Sequence, residues 1–186
     1  MPGEGWAEPW MFPLPWPPLA DRETQIGLRP WGAGEDDPAV LAAAWADPDV
    51  ARWTSVPPDH SVEAACTWIR GEEARRARGL AMDLVISQLH EPRVIHGEIG
   101  LVMVDADKGW AELGYWLGSE SRGAGRAGAA ASLFAEWVLR ELPVKRLFAR
   151  TQPDNPGAGR VAEAAGLVLA GVLETGTQVW ISDRAR

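Results

Sequence analysis

The sequence predicts an α+β fold in which helices flank a mixed, mostly antiparallel sheet. Three β-prone segments, residues 81–87, 94–104 and 111–117, follow one another with connections that are too short for a crossover. They must therefore pair as antiparallel hairpins. A helical pattern then runs to about residue 141, and a strand at residues 146–151 completes a single β-α-β unit.

The region before this sheet is predicted to be one strand followed by two helices. Residues 24–31 form a short strand that Pro30 ends. A helix with Asp37 as its N-cap stops near residue 47, and a second helix runs from an N-cap at Ser61 to Gly79. After the β-α-β unit we expect a helix over about 157–165 and a final hairpin of residues 167–173 and 177–183.

The chain divides into an N-terminal arm and a single domain. Residues 1–20 hold six prolines and three of the eleven tryptophans, a composition that excludes a helix and predicts an extended segment, either an arm packed by its tryptophans or a disordered tail. Residues 21–186 are long enough for one domain with a sizeable core.

Composition excludes several functional classes. The net charge of −8 disfavours nucleic acid, and no apolar run is long enough for a membrane span. The first residues lack a secretory signal, so we expect a soluble cytoplasmic protein. A lone cysteine and three scattered histidines predict neither a disulfide nor a metal site. Residues 121–160 nevertheless carry a net charge of +4, which could attract a small polyanion.

The most informative stretch is the glycine-rich segment "SRGAGRAGAAA" at residues 121–131. Glycines ahead of a helix let backbone amides close on a phosphate, and the helix dipole favours the negative charge. Gly123, Gly125 and Gly128 match the G-x-G-x-x-G string of dinucleotide-binding folds. The context contradicts that interpretation, because antiparallel strands precede the glycines and position 143, twenty residues beyond Gly123, is a proline. A tight turn that simply requires glycine is the structural alternative.

The same stretch resembles another family. Arg122-x-x-Gly125-x-Ala127 matches the pyrophosphate motif Q/R-x-x-G-x-G/A of the GNAT superfamily of acyl-CoA N-acyltransferases. "ELGYWL" before it, and "DN" followed by "RVAEAAGL" after it, are similar to the RimJ/RimL type, and the likeness extends from about Thr24 to the C-terminus. The resemblance implies a GNAT fold whose sheet is splayed between its fourth and fifth strands. It also implies acetyl-CoA as cosubstrate and no metal.

The resemblance assigns residues to coenzyme A binding. Backbone amides would hold the pyrophosphate, and pantetheine would add to the strand before the glycines as an extra strand, where an amide would polarise the thioester carbonyl. Arg122 and Arg126 could reach phosphates or be solvated, and Asn155 could contact the cofactor arm or cap a helix. The expected cofactor-binding set is Tyr115, Trp116, Leu117, Arg122, Gly123, Ala124, Gly125, Arg126, Ala127 and Asn155.

Attack of a neutral amine on a thioester requires a proton acceptor. Glu112 is the first choice, with Glu98 second and His96 a weaker third; each has a purely structural alternative. The family often has a Tyr or a Ser that protonates the leaving thiolate, but this chain has Ala162 and Ala158 at those positions. Water could replace them, because a thiol is a good leaving group.

The acceptor is predicted to be a primary amine, such as a peptide or protein N-terminus. A small-molecule amine (an antibiotic or polyamine) and a CoA-binding module without turnover are the alternatives. Trp53, between the first two helices, would wall the acceptor site or pack in the core. The arm's Trp6, Trp10 and Trp16 could cover the acceptor site or a partner subunit, and the sequence allows either a monomer or a homodimer.

Overall fold

The computed structural model describes residues 11–183, and these form an eight-stranded sheet with helices on both faces. The strand order is β1-β2-β3-β4-β5-β6-β8-β7, with every pair antiparallel except β5 and β6. The predicted α+β class is confirmed. The strands are β1 (Ala20–Asp21), β2 (Ile26–Pro30), β3 (Met82–Gln88), β4 (Glu91–Asp105), β5 (Trp110–Leu117), β6 (Arg146–Thr151), β7 (Val168–Val172) and β8 (Gln178–Asp183).

The helices are α1 (Asp37–Ala46), α2 (Pro48–Trp53), α3 (Val62–Arg70), α4 (Glu72–Ala77), α5 (Arg126–Glu141) and α6 (Pro156–Ala164), with a 3₁₀ turn at Ser119–Ser121. Two hydrophobic clusters sandwich the sheet. One packs α5 and α6 against one face and contains Phe134, Trp137 and Trp180. The other packs α1, α2 and α3 against the opposite face around Trp45 and Trp116.

The sheet opens between β5 and β6. These parallel strands pair only from Trp110 to Glu112, opposite Arg146 to Phe148. Beyond that point both strands continue but no longer pair with each other, so the sheet forks. The predicted splay between the fourth and fifth strands is therefore present. These strands are numbered fifth and sixth here because the short strand β1 precedes them.

The helical N-terminal half differs from prediction in three places. Asp37 is the first residue of α1 and not its N-cap, because its carboxylate accepts hydrogen bonds from Arg29 and from the amides of Gly32 and Gly34. The helix that begins after Ser61 breaks at Gly71 into α3 and α4. The segment after residue 47, predicted as a loop, contains α2, whose N-cap is Asp47.

Part of the N-terminal arm packs on the domain. Phe12 is fully buried; its backbone amide donates to the Arg76 carbonyl on α4, and its carbonyl accepts from the Arg76 guanidinium. Trp16 is 90% exposed. Trp6 and Trp10 lie outside the described residues, so the role predicted for the tryptophan arm stays a prediction.

We expect the Asp37→Asn substitution to destabilise the protein by about 3 kcal/mol, because it leaves the mostly buried Arg29 without its charged partner. Burial alone would raise the pKa of Asp37, but Arg29 and the two amides hold it below its ordinary value. The ion pair therefore stabilises the folded state above about pH 4, and this contribution is lost as the pH falls. Urea unfolding between pH 3 and 7 measures it; Asp36→Asn, at an exposed neighbour, should have little effect.

Candidate active site

The fork between β5 and β6 is part of one large cleft of about 1530 Å³. Its walls come from α2, β4, β5, the loop before α5, β6 and α6. The predicted cofactor-binding residues, Trp53 and the two leading catalytic candidates all lie in the described part of the chain. All of them line this cleft except Ala124. The structure therefore gathers these residues into one place.

The loop before α5 has the geometry of an anion cradle. Gly123 and Gly125 have φ values of +79° and +76°, which a residue with a side chain adopts only at a cost of about 1–2 kcal/mol. No atom lies within 4 Å of a Cβ built on either residue, so the space beside the loop is open. Within the described residues, no backbone or side-chain acceptor engages the amides of residues 123–128. These amides lie at the first turn of a helix, where a phosphate binds readily.

Gly128, the third glycine of the dinucleotide-like string, has a different role. A Cβ at this position would lie 3.2 Å from the Ala164 Cβ, so the glycine allows α5 and α6 to pack closely. The string therefore combines two turn glycines with one packing glycine.

The two arginines of the loop are held by protein groups. Arg122 donates to the Leu117 carbonyl and to Asp49 at 2.8 Å, and its guanidinium lies 3.8 Å from Asp47. These contacts tie the end of β5 to the α1–α2 junction. Arg126 donates to the Ser121 carbonyl at 3.3 Å. Both side chains line the cleft, but the charge of Arg122 is balanced by the two aspartates, so Arg126 supplies the positive charge beside the loop.

The edge of β5 that faces the fork is free to pair with an extended ligand. Residues 113–117 pair with β4 on one side but have no β6 partner on the other. Tyr115 packs against the core under α5, and burial raises the pKa of its hydroxyl to about 12. The side chains of Glu112 and Trp116 belong to the opposite face, toward α1–α3.

Glu112 is buried and bound to an arginine. Nε and Nη2 of Arg150, on β6, donate to its two carboxylate oxygens, each at 2.9 Å. The side chain of Glu112 is 8% exposed, whereas that of Arg150 is 49% exposed and lines the cleft. The pair lies where β5 and β6 separate.

Glu98, on β4, lies opposite Trp116 in the β4–β5 register. Its carboxylate accepts one hydrogen bond from the Trp31 indole at 2.6 Å and another from the Trp116 indole at 3.1 Å. Burial raises the pKa of Glu98 to about 8, and the negative charge of Asp83 adds to this effect against the two indole donors. Glu98 is therefore a carboxyl that can exchange a proton near neutral pH.

Asp83 is a second carboxyl on the same face. It is 5% exposed, and burial raises its pKa to about 6 although the nearby Arg75 opposes the shift. Its Oδ2 lies 3.6 Å from Arg75 Nη2 and accepts no hydrogen bond within the described region. Two carboxyls with elevated pKa values therefore lie side by side at the α3 end of the cleft.

His96, the third candidate base, does not line the cleft. It is buried, and its ring nitrogens lie 3.0 Å from Ser121 Oγ and 3.2 Å from Gln88 Oε1. Burial and the charge of Arg126 lower its pKa, which favours a neutral ring. His96 therefore stabilises the turn that precedes the glycines.

Asn155 and Trp53 lie on opposite walls. Asn155 is the N-cap of α6, and its side-chain oxygen accepts from the Ala158 amide at 3.2 Å. Trp53, at the end of α2, is half-buried with the Arg52 guanidinium 4.4 Å from its ring centre. Ala158 and Ala162 also line the cleft, at the positions where a proton-donating side chain was expected.

The sequence did not reveal the roles of Arg150 and Asp83, nor that the indoles of Trp31 and Trp116 bind Glu98. Strand alternation indicates that Arg150 shares a face of the sheet with Glu112, because Arg150 lies two residues after Phe148, which pairs with Glu112. The pairing of β5 with β6, however, had to be known first. Within residues 11–183, no group of three or more His, Cys, Asp or Glu is arranged to hold a metal ion, and no helix is long and apolar enough to cross a membrane.

Comparison with known proteins agrees with this geometry. Residues 25–168 match the acetyltransferase (GNAT) domain. N-acetyltransferase p20 of Bacillus licheniformis, itself uncharacterized, is 28% identical over 138 residues, which cover 74% of this chain and 77% of that protein.

Solved structures share the fold. RimL, the ribosomal L7/L12 α-N-protein acetyltransferase solved with coenzyme A, superposes with a TM-score of 0.72 at 18% identity over 89% of this chain and 97% of its own. Spermidine N-acetyltransferase from Vibrio cholerae, solved with CoA and spermine, gives 0.71 at 14% identity over 87% and 96%.

The family match identifies an acyl-CoA-dependent N-acetyltransferase, and the forked α+β sheet with its amide-lined loop agrees with that class. This chain belongs to the GNAT family, and its donor is acetyl-CoA. Membership of an enzyme family disfavours the binding module without turnover.

We expect Gly125→Glu to weaken acetyl-CoA binding at least about a hundredfold, or about 2.7 kcal/mol. The new side chain would strain a residue at positive φ and would place a carboxylate beside the pyrophosphate cradle. Titration calorimetry measures the affinity. Gly171→Glu is the matched control, because Gly171 lies on the exposed strand β7 and a Cβ at that position would have no atom within 4 Å. Equal affinities in the two variants would show that the loop does not bind the cofactor.

Proposed function

We propose that this enzyme acetylates a primary amine, with the α-amine of a peptide or protein N-terminus as the leading acceptor. One observation carries the proposal: the fork beyond Glu112 joins the amide-lined loop at residues 123–127 to the carboxyls Glu98 and Glu112 in a single cleft. The likeness to RimL supports a peptide acceptor. A donor at the loop and an acceptor at the carboxyls would then meet at the fork.

The residues present fit acetyl-CoA. The amides of Gly123 to Ala127 would hold the pyrophosphate, and the free edge of residues 115–117 would pair with the pantetheine arm. Acetyl-CoA supplies the thioester carbon that the amine attacks. An amide on this edge of β5 would stabilise the negative charge on the thioester oxygen, because it donates from a fixed position. Asn155, held by its cap of α6, would border the cofactor arm.

Glu98 is the proton acceptor that the geometry favours. Glu98 pairs directly with Trp116, and Trp116 belongs to the β5 segment that is proposed to hold the thioester. Glu112 lies four residues before Trp116 on β5, a distance of about 13 Å along the strand. The carboxylate of Glu98 has a pKa near that of an α-ammonium group, about 8, so a proton can move between them with little free-energy cost.

Glu112 would act as a positioning residue. Both of its oxygens accept from the charged guanidinium of Arg150, an ion pair that a proton from the amine would break, whereas the oxygens of Glu98 accept from two neutral indoles. The sequence favours Glu112 as the base, but in this proposal Glu98 takes that role. Because Ala158 and Ala162 carry no proton donor, water in the cleft would protonate the departing thiolate, which needs little help at a thiol pKa of about 8.5.

A small polycationic amine is the second candidate. A cavity of about 560 Å³ adjoins the cleft at Trp45, Pro57 and Trp68, and Asp59 and Glu63 line it. Aromatic faces and carboxylates both bind ammonium groups. The likeness to the spermidine enzyme supports this alternative, which a spermidine arm in the acceptor panel would test.

A panel of amines tests the function. Release of free CoA thiol from acetyl-CoA is followed for peptides with free N-termini, N-terminally blocked peptides and spermidine. We expect turnover with free but not with blocked N-termini. Turnover with spermidine alone would replace the leading acceptor with the second candidate, and no amine-dependent release would contradict the enzyme assignment.

The substitutions Glu98→Gln and Glu112→Gln show which of the two carboxyls is the proton acceptor. We expect Glu98→Gln to lower kcat by a factor of about 10²–10⁴ while acetyl-CoA affinity is unchanged, because it removes only the proton acceptor. In the wild type, kcat should rise with pH through about 8, as Glu98 loses its proton, and then level off. The variant should lack this rise. Rate measurements from pH 6 to 9.5 at saturating substrates give the profile.

Protein stability provides the control for these variants. The raised pKa means that ionised Glu98 destabilises the folded state as pH rises from about 4.5 to 8, so the neutral glutamine should not unfold the protein at pH 8. A fully active Glu98→Gln together with an inactive Glu112→Gln would return the base to Glu112.

A further inference from the structure

We infer that the acceptor carries a carboxylate close to its amine, and that Arg150 binds this carboxylate. The inference rests on the proposed function and specifies its substrate class: a free amino acid, or a peptide with an acidic residue at its N-terminus. It comes from the placement of a fixed, half-exposed guanidinium on the acceptor side of the fork.

Arg150 is fixed from behind. The buried Glu112 carboxylate binds its Nε and Nη2, and the Met103 sulfur lies 3.3 Å from Nη2. A long side chain that is already immobilised loses little conformational entropy when it binds a ligand. Arg150 is thus pre-organised for a contact on its exposed side.

Arg150 also has donors to spare. A guanidinium carries five N–H groups, and the contacts with Glu112 and Met103 use those of Nε and Nη2. The two N–H groups of Nη1 have no acceptor among the described residues. Since Arg150 is 49% exposed and lines the cleft, these donors are available to a bound molecule.

Among the described residues, two of the other three arginines that line the cleft are engaged differently. Arg122 is neutralised by Asp47 and Asp49, and Arg126 is bound to the loop carbonyl of Ser121. Both lie beside the pyrophosphate loop. Arg150 instead extends from β6 on the same face of the sheet as Glu98, where the acceptor would enter.

The layout of charges matches a dipolar acceptor. Extending the β5–β6 register two residues beyond its last pair, Glu112 and Phe148, brings Arg150 level with Gly114, while Glu98 is level with Trp116. The Cα atoms of Glu98 and Arg150 are therefore two strand spacings apart across the sheet and two residues apart along it. This corresponds to about 12 Å, to which the opening of the fork adds. The Glu and Arg side chains extend into the space between these Cα atoms, so the distance between the carboxylate of Glu98 and the guanidinium of Arg150 matches an amino acid or a dipeptide. An amine at Glu98 and a carboxylate at Arg150 would then bind together.

Matched acceptors test the inference. Ala-Asp-Ala amide and Ala-Asn-Ala amide differ only in one side-chain charge, and free alanine and alanine amide test a carboxylate on the first residue. We expect the wild type to prefer the acidic member of at least one pair by about tenfold or more in kcat/KM. The pair that shows the preference identifies whether the carboxylate belongs to an amino acid or to a peptide side chain.

The variants separate binding from a structural role. Arg150→Gln should abolish the preference, and so should Arg150→Gln combined with Glu112→Gln, in which Glu112 is no longer left as an unpaired buried charge. Because the preference is compared between the wild type and each variant, the difference in amine pKa within a pair cancels, and so does any change in overall activity. Arg140→Gln, which removes an exposed arginine from surface ion pairs on α5, should keep the preference.

Two outcomes overturn the inference while the proposed function stands: the wild type uses both members of each pair equally, or Arg150→Gln slows both members equally. The second would show that Arg150 acts only through Glu112. If none of these amines or those of the earlier panel releases CoA, the proposed function fails, and the inference fails with it.

Discussion

The early end of pairing between β5 and β6 is the constraint on which the rest of the site depends. Three paired positions hold the parallel strands together, and beyond Glu112 each continues with one free edge. A free edge presents unpaired amides and carbonyls that need a partner. The flanking helices close the faces of the sheet but leave this gap open, so the fold creates a slot in which an extended molecule can complete the backbone hydrogen bonding.

Electrostatics then divide the slot. Positive φ glycines and a helix N-terminus make the end near residues 123–127 favourable for phosphate, while Asp83 and Glu98 bring two carboxyls together at the end near α3. Their mutual repulsion and burial keep a proton within reach at neutral pH. Arg150 neutralises Glu112 between the two ends. One opening in the sheet thus has a loop suited to bind an anion at one side and carboxyls suited to accept a proton at the other.

Local sequence patterns predicted most of the strands and the glycine loop, whereas the fork was predicted from the resemblance to the GNAT superfamily. Short connections forced hairpins, and the Arg122-x-x-Gly125-x-Ala127 motif placed the glycines at the start of α5. Patterns within one segment could not give contacts between distant segments. The Arg29 ion pair that holds Asp37 within α1, the indoles of Trp31 and Trp116 on Glu98, and the Arg150 ion pair with Glu112 each join residues at least eight positions apart. The role proposed for Glu112 differs from the predicted one for this reason.

Amide hydrogen exchange with and without coenzyme A tests the central claim, that the cofactor completes the free edge of β5 and caps the loop. We expect binding to slow exchange at residues 113–117 on the fork side and at 123–127. The edge strand β7, which is exposed along its whole length, should exchange at the same rate in both states. Protection that appears elsewhere, with residues 113–117 and 123–127 unchanged, would contradict the claim.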